Sequence, residues 1–361
     1  MQNNPPLILV LPGDGIGHEV TPVGVDVIKA ACHAAGALMP EFEAGAAGAG
    51  TYVERGDALP TETVERARAA DAILLGAMGM PDIRYPDGTE ITPQIALREI
   101  LELYAGVRPV RIIPGLPNAL SDPRAEKIDF VIVRESTEGL FASRETGTVE
   151  GDEIARDTMV ITRPGSERLF DFSARLAAAR RRTGSPGKVT CVDKANVFRS
   201  FAFFRSIFAE RMAMHPDLIA DYCYVDAMAH NMIKRPWDYD VLVTENMFGD
   251  ILSDLSAALV GGMGMAPSAD IGDDHAVFQP AHGSAPDIAG KGIANPTAMI
   301  LSAALLLDWL GERRQDESYA KAGAMVRSAV DTAFASGSLL PFELGGDAGT
   351  ETIAEAVLSA I

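Results

Sequence analysis

Apolar runs of strand length alternate with helical stretches along most of this chain, and glycine-rich turns stand between them. Residues 7–11 read as a buried strand and residues 12–17 as a tight turn. Residues 19–35 read as a helix with Val20, Val23, Val27, Ile28 and Ala31 on one side. The same rhythm predicts a strand at 72–75, a helix at 93–105 ended by Gly106, and a strand at 110–113. Further core strands are expected at 130–133, 189–192 and 241–243, and a helix at 298–310. Strand–helix alternation of this kind specifies an α/β architecture whose sites lie beyond strand ends. Residues 142–164 break the rhythm with Gly147, Gly151, many charges and a short β-type run at 159–162. A projecting hairpin arm that pairs with a second chain suits them. Arg180-Arg181-Arg182 starts a basic turn, read as solvated.

At 361 residues the chain has room for two domains or one large one. Its 47% hydrophobic and 22% charged content excludes fibrous and disordered classes. Fifty Asp and Glu against 31 Lys and Arg give a net charge of −19, which repels phosphate backbones and anionic lipid. No nucleic-acid or membrane role is therefore expected, and arginines gathered against that background stand out as anion binders. Cys32, Cys191 and Cys223 are widely spaced without a C-x-x-C pair, which fits a reducing compartment and neither a disulfide framework nor a zinc knuckle. Residues 1–6 carry no basic region, and no run approaches the ~18–20 apolar residues of a bilayer span, so neither a signal peptide nor a membrane segment is expected. The expected location is cytoplasmic.

The first glycine cluster, Gly13-Asp14-Gly15-Ile16-Gly17-His18, invites a dinucleotide reading and fails it, because His18 stands where G-x-G-x-x-G needs its third glycine. A tight strand-to-helix turn and a ligand loop both remain open. Asp250 and Asp254, four residues apart after the strand at 241–243, share one face of a helix. A solvated acidic face is the plain alternative. Met247, Phe248, Ile251 and Leu252 around the pair favour a counter-ion instead, and two hard oxygen donors suit Mg²⁺ or Mn²⁺. Arg98, Arg108 and Arg134 each fall at the end of an apolar element, where guanidinium groups fork onto carboxylates, so a small polycarboxylate is the expected ligand. Lys194, directly after a strand, is either a tuned base or the ion-pair partner of Asp193. Asp226 is a similar strand-end carboxylate able to supply a third metal oxygen. The glycine-punctuated stretch 282–296 is long for a structureless loop and reads as functional. Within it, Asp287 suits both hydroxyls of an adenosine ribose and opposes a 2′-phosphate, favouring NAD over NADP.

The chain resembles the metal-dependent β-decarboxylating dehydrogenases of the isocitrate/isopropylmalate dehydrogenase family, in type nearest the 3-isopropylmalate, homoisocitrate and tartrate enzymes. The likeness runs from the GDGIG turn to the helix after Asn295, and is most specific at Thr244-Glu245-Asn246-Met247-Phe248-Gly249-Asp250 through Asp254 and at 282–296. It implies an isopropylmalate dehydrogenase-like two-domain α/β fold, with a central mixed sheet flanked by helices, that is not a Rossmann fold. A discontinuous nucleotide-binding domain is expected at 1–104 and 260–361. A substrate, metal and dimerisation domain is expected at 105–259, with the arm at about 142–164 and the active site in the cleft between the domains. By the resemblance Arg98, Arg108 and Arg134 hold the substrate carboxylates, and Asp250 and Asp254 ligate Mg²⁺ or Mn²⁺. Lys194 and Asp226 reach across a homodimer with shared active sites, and Asp226 adds to the metal set. His282, Gly283, Ser284, Ala285, Asp287 and Asn295 match the NAD loop. The implied reaction is oxidation of a 3-substituted (R)-malate at its 2-hydroxyl, hydride passing to the nicotinamide, followed by loss of the β-carboxylate as CO₂.

Two stretches depart from the pattern. The family usually carries a tyrosine seven residues after the substrate arginine, as donor of the last proton; here Phe141 stands there, without a hydroxyl. Before Arg98, 3-isopropylmalate enzymes usually present apolar residues and isocitrate enzymes a serine and an asparagine; this chain has Thr92 and Gln94. Thr137-Glu138-Gly139 looks more like the isocitrate and tartrate members, and Gln279 replaces a frequent glutamate. A 3-isopropylmalate-type substrate is the leading expectation. Isocitrate or homoisocitrate and tartrate or D-malate are the alternatives, and a non-catalytic regulatory paralogue is the rival from another class.

Overall fold

The computed structural model describes residues 4–361. Residues 1–3, the start of the segment expected to lack a signal peptide, lie outside the described residues. The chain divides into two compact units. The first holds the described chain up to Glu102 together with Ile113–Pro117 and Val260–Ile361, and the second holds Leu103–Ile112 and Asn118–Leu259.

The first unit opens with β1 (Leu7–Gly13), α1 (Gly17–Ala35), β2 (Glu41–Ala44), α2 (Ala49–Arg55), α3 (Thr61–Ala69), β3 (Ala72–Ala77) and α4 (Pro93–Ile100). Every residue of β3, Ala-Ile-Leu-Leu-Gly-Ala, is buried, as suits a strand covered on both faces. The predicted helix at 93–105 is shorter than expected. Glu102 takes a left-handed conformation (φ +53°), which no helix continues through, and Ala105 already belongs to the next strand. Leu101 and Tyr104, which made the helical pattern look longer, are buried all the same.

The second unit begins with β4 (Ala105–Arg111) and continues through β5 (Asp129–Glu135), β6 (Thr148–Glu150), β7 (Ile154–Arg156), α5 (Arg163–Arg182) and β8 (Lys188–Asp193). It ends with α6 (Arg199–Met212), β9 (Ile219–Tyr224), α7 (Val225–Lys234), β10 (Val241–Thr244) and α8 (Asn246–Leu259). Its strands lie in the order β4-β5-β10-β8-β9, antiparallel at β4–β5 and parallel elsewhere. The segment expected as an arm contains a hairpin, β6 with β7, exposed at every residue. The run at 159–162 is not one of its strands and makes only an isolated bridge, Val160 with Gly139. The triple arginine forms the last turn of α5, where Arg181 and Arg182 are exposed, as expected of a solvated basic stretch. Arg180 donates from Nε to the fully buried Asp240 at 2.5 Å and from Nη2 to the Asp129 carbonyl at 2.8 Å, and its cation complements the helix C-terminus.

The chain then returns to the first unit as β11 (Pro267–Ile271), β12 (Ala276–Pro280), α9 (Thr297–Arg314), α10 (Glu317–Phe334) and α11 (Thr350–Leu358). The strands of this unit run β2-β1-β3-β12-β11, with β11 antiparallel to β12 and the others parallel. That order and the antiparallel strand are not those of a Rossmann sheet. Helix α9 packs against α1, α10 and the strands β11 and β12, which explains why it is apolar nearly all round. Ile113–Pro117 belongs with this unit because Gly115 (φ +86°) lies against the Phe334 carbonyl, where a Cβ would come within 1.9 Å of the oxygen.

Candidate active site

In the second unit the site residues gather where β4, β5 and β10 meet α8. Arg108 lies on β4 opposite Ile132, and Arg134 lies on β5 opposite Gly106. Arg108 therefore sits in the middle of its strand and Arg134 one residue from the end of its own, as diagonal neighbours on one face. They are 6% and 3% exposed, so each guanidinium is held by protein rather than by water. Arg134 donates from Nε and Nη2 to Oδ1 of Asn246, at 2.8 and 2.6 Å, and from Nη1 to Asp250. Its Cζ lies 5.2 Å from the centre of the Phe141 ring. Helix α8 passes so close that a Cβ on Gly249 would come within 2.6 Å of the Arg134 Cβ and Cγ, so this helix position needs glycine.

The start of α8 is closed by the residue before it. The Glu245 carboxylate accepts from Met247 N at 3.2 Å and Phe248 N at 2.8 Å, and burial raises its pKa. One turn into the helix come Asp250 and Asp254, both exposed. Burial and the Asp250 charge raise the Asp254 carboxyl, against the pull of Arg134 and Arg108. The sequence offered no cation near this pair, but β5 delivers Arg134 to it. Even so, two repelling hard-oxygen donors one turn apart remain a donor set that a divalent cation would satisfy. Among the described residues no three His, Cys, Asp or Glu side chains come together in a metal-holding group, so within one chain Asp226 does not join Asp250 and Asp254.

Asp226 lies instead in the first turn of α7, where it accepts from Lys194 Nζ at 2.6 Å; that bond lowers its carboxyl. The expected alternative partner of Lys194, Asp193, is fully buried and is bonded twice by Arg205, at 2.7 and 2.8 Å. Lys194 and Asp226 are thus a pair at the surface of this unit, with side chains 24% and 68% exposed.

In the first unit, Arg98 donates from Nε to the buried Asp270 at 3.0 Å, and Gln279 donates to the same oxygen at 3.0 Å. An amide at 279 can donate there, whereas a glutamate would face Asp270 with a second carboxylate. Thr92 immediately precedes α4 without capping it through its side chain, and Oε1 of Gln94 is buried without a partner.

The loop 282–296 is braced from below by the GDGIG turn. Ile16 N donates to the Ser284 carbonyl at 2.8 Å, a Cβ on Gly15 would meet that oxygen at 2.1 Å, and Ser284 Oγ bonds the Gly79 carbonyl. Asp14 holds the turn itself, accepting from Ala49 N, Gly50 N and Gly79 N, each at 2.8 Å. The turn is accordingly a scaffold for the loop. Glu19 accepts from Gly290 N and from Gly292 N. Asn295 caps α9, its Oδ1 accepting from Thr297 N at 3.0 Å and Oγ1 at 2.7 Å, while its Nδ2 donates to Glu343 at 2.6 Å. Gly283 and Asp287 are exposed, and Ala285 adopts φ +39°, a strain that side chains tolerate where a loop is built for a ligand. His282 bonds the Gly283 carbonyl through Nδ1, buries an unpartnered Nε2, and has its pKa lowered by burial. An orphaned polar atom beside an exposed carboxylate and open glycine fits a nucleotide loop. Asp14, Glu19, Asn246 and Glu343 escaped the reading of the sequence. Asp14 and Asn246 lie inside the glycine turn and the Thr244–Asp250 stretch and Glu19 directly after the turn, but nothing in sequence links Glu343 to Asn295, 48 positions away.

A family model described as isocitrate/isopropylmalate dehydrogenase matches residues 7–357. The chain belongs to that family. It is 45% identical over 351 residues to the 3-isopropylmalate/3-methylmalate dehydrogenase of Methanocaldococcus jannaschii, covering 97% of each chain. It is 42% identical over 362 residues to the homoisocitrate dehydrogenase of the same organism, covering 98% of this chain and 97% of the other. The crystal structure of a β-decarboxylating dehydrogenase from Thermococcus kodakarensis matches with a TM-score of 0.79 and 37% identity, over 98% of this chain and 95% of that one. The protein is a decarboxylating dehydrogenase of the isocitrate/isopropylmalate type. Among the described residues no helix is long and apolar enough to cross a membrane.

Proposed function

We propose that this dehydrogenase oxidises and decarboxylates a 3-substituted (R)-malate, 3-isopropylmalate or a close analogue first, with NAD and Mg²⁺ or Mn²⁺. The observation that carries the reading is the side-by-side placement of Arg108 and Arg134 against the carboxylate pair of α8. The arginines take the substrate carboxylate in forked hydrogen bonds. Asp250 and Asp254 hold the metal, which when bound acts as a Lewis acid toward the 2-hydroxyl and the adjacent carboxylate. Lys194, oriented by its hydrogen bond to Asp226, accepts the hydroxyl proton as the neutral amine and passes it on, in a homodimer where both residues serve the neighbouring copy. Ile233 and Ile251, on α7 and α8, and Val149 and Ile154, on the hairpin, are exposed apolar side chains that support such pairing. The loop 282–296 holds NAD, with Asp287 on the ribose hydroxyls.

A second reading, isocitrate or homoisocitrate, is favoured by Thr92 and Gln94, since a buried amide oxygen without a partner suits a polar substituent better than an isopropyl group. Tartrate and D-malate, which lack the bulky substituent, stand behind both. A regulatory paralogue would have no use for Lys194, Asp226, Asp250, Asp254, Arg98, Arg108 and Arg134 together. The test follows NADH and CO₂ with NAD⁺ and Mn²⁺ across 3-isopropylmalate, isocitrate, homoisocitrate, D-malate and tartrate. Turnover on 3-isopropylmalate above the rest is expected. Preference for isocitrate or homoisocitrate moves the reading to the second, and no turnover on any acid overturns it.

A further inference from the structure

We infer that Phe141 and Asn246 are positioning residues for Arg134, and that the Phe141 ring supplies the face on which its guanidinium rests. The guanidinium is fixed in its own plane by Asn246 Oδ1, which accepts from both Nε and Nη2. Asn246 is itself pinned, because its Nδ2 donates to the Glu138 carbonyl at 2.9 Å, on the short loop that leads to Phe141. The ring closes the plane from one side, its centre 5.2 Å from Cζ, within the range of a cation–π contact. Gly249 lets α8 close on the aliphatic stem. Edge and stem of one buried arginine are therefore set by α8, and its face by the loop that carries Phe141. An aromatic face needs no hydroxyl, so the loss of the usual tyrosine oxygen leaves this function whole.

The inference rests on the proposed reaction for its assay, and two separate readings keep the two apart. Wild-type turnover on the panel of acids tests the reaction. Dissociation constants, by calorimetry with Mg²⁺ and the preferred acid, test the positioning role. Phe141→Met and Phe141→Leu keep apolar bulk without a ring face. Each is expected to weaken binding of the acid about two- to thirtyfold, the span of a cation–π contact from exposed to desolvated. NAD affinity and melting temperature should stay at the wild-type values, while Phe141→Tyr retains wild-type affinity for the acid. Asn246→Ala, checked for folding by its melting curve, should weaken the acid at least as much. Wild-type affinity in Phe141→Met and Phe141→Leu overturns the inference, as does equal loss in Phe141→Tyr. If wild type turns over none of the acids, calorimetry with tricarballylate, a plain tricarboxylate, gives the same comparison.

Discussion

Glu135 ends β5 beside Arg134 with only 3% of its surface exposed, and burial pushes its carboxyl up to about 7. Hydrogen bonds from Thr137 and Glu138 pull the other way, and the Glu138 charge adds to the rise. In the unfolded chain the same group has its ordinary value near 4.5. The folded state therefore holds this proton more tightly, and stability falls as pH rises between the two values. At ~1.4 kcal/mol per unit the fall amounts to about 3 kcal/mol, complete above about pH 7 and absent below 4.5. Glu135→Gln removes the ionisation and keeps the shape. Its amide oxygen accepts from Thr137 N and Glu138 N, where Oε2 does now. Its NH₂ turns to the Thr137 hydroxyl, an oxygen that already accepts from Arg168 at 3.1 Å. Allowing about 1 kcal/mol for the weaker neutral hydrogen bonds, the variant should exceed wild type by about 2 kcal/mol at pH 8. With an unfolding entropy of ~2.1 cal/mol/K per residue that is a melting temperature about 3 °C higher if the chain melts as one unit. At pH 4.5, where the pH-dependent part is absent, the variant should be about 1 kcal/mol less stable and melt about 1 °C lower. Scanning calorimetry at both pH values decides it: an offset that does not change with pH, or a variant less stable at pH 8, refutes the assignment of a buried, protonatable Glu135.

Phe141→Tyr restores a hydroxyl at the position of the missing acid, so the ratio of CO₂ released to NADH formed, or the rate of enol protonation, should change while NAD affinity does not; an unchanged ratio would remove the residue from that step. Asp14→Ala leaves the N–H groups of Ala49, Gly50 and Gly79 without their acceptor, two of these bonds being buried and that of Gly50 half-buried. At ~1–3 kcal/mol for each buried unsatisfied group, the loss should be at least about 2 kcal/mol, read as a lower urea midpoint, and Asp14→Asn should recover part of it. Asp287→Asn removes the charge that opposes a 2′-phosphate, so the ratio of kcat/KM for NAD⁺ over NADP⁺ should fall about tenfold. Faster turnover of wild type with NADP⁺ would sink the role given to Asp287.

What could be read from the sequence was whatever a single element fixes by itself. The apolar runs of β3 and of β10 up to Val243 announce buried strands, and Asp250 and Asp254 share a helix face because the spacing of a helix leaves no alternative. Errors came where the conformation of one residue decides between two extensions of the same pattern. Leu97, Leu101 and Tyr104 continue a helical period, yet the left-handed Glu102 stops the helix and turns the following residues into β4. The hairpin falls inside the expected segment, but its own strands could not be picked out, for a related reason. Its strands, Thr-Val-Glu and Ile-Ala-Arg, have no buried side and so no apolar run to mark them, whereas 159–162 is the more apolar stretch and drew the reading.

The site shows the same division more sharply, because partners in space carry no mark in sequence. Asp193 looked like the natural partner of Lys194 from its adjacency, but on a strand neighbouring side chains point to opposite faces, and Asp193 faces inward to Arg205. Lys194 was left for Asp226, 32 residues on. The carboxylate pair on α8 was read as needing a cation from outside the protein, since no basic residue stands near it in the chain. Parallel pairing of β5 with β10 places Arg134 beside Thr244, two residues before the helix begins, and so supplies one cation from within. That cation does not make the metal superfluous. Arg134 spends Nε and Nη2 on Asn246 and turns only Nη1 to Asp250, while Asp254 is still raised by partial burial and by the Asp250 charge beside it. An acidic surplus that one buried arginine leaves uncompensated is what a divalent cation and an anionic substrate, binding together, would balance.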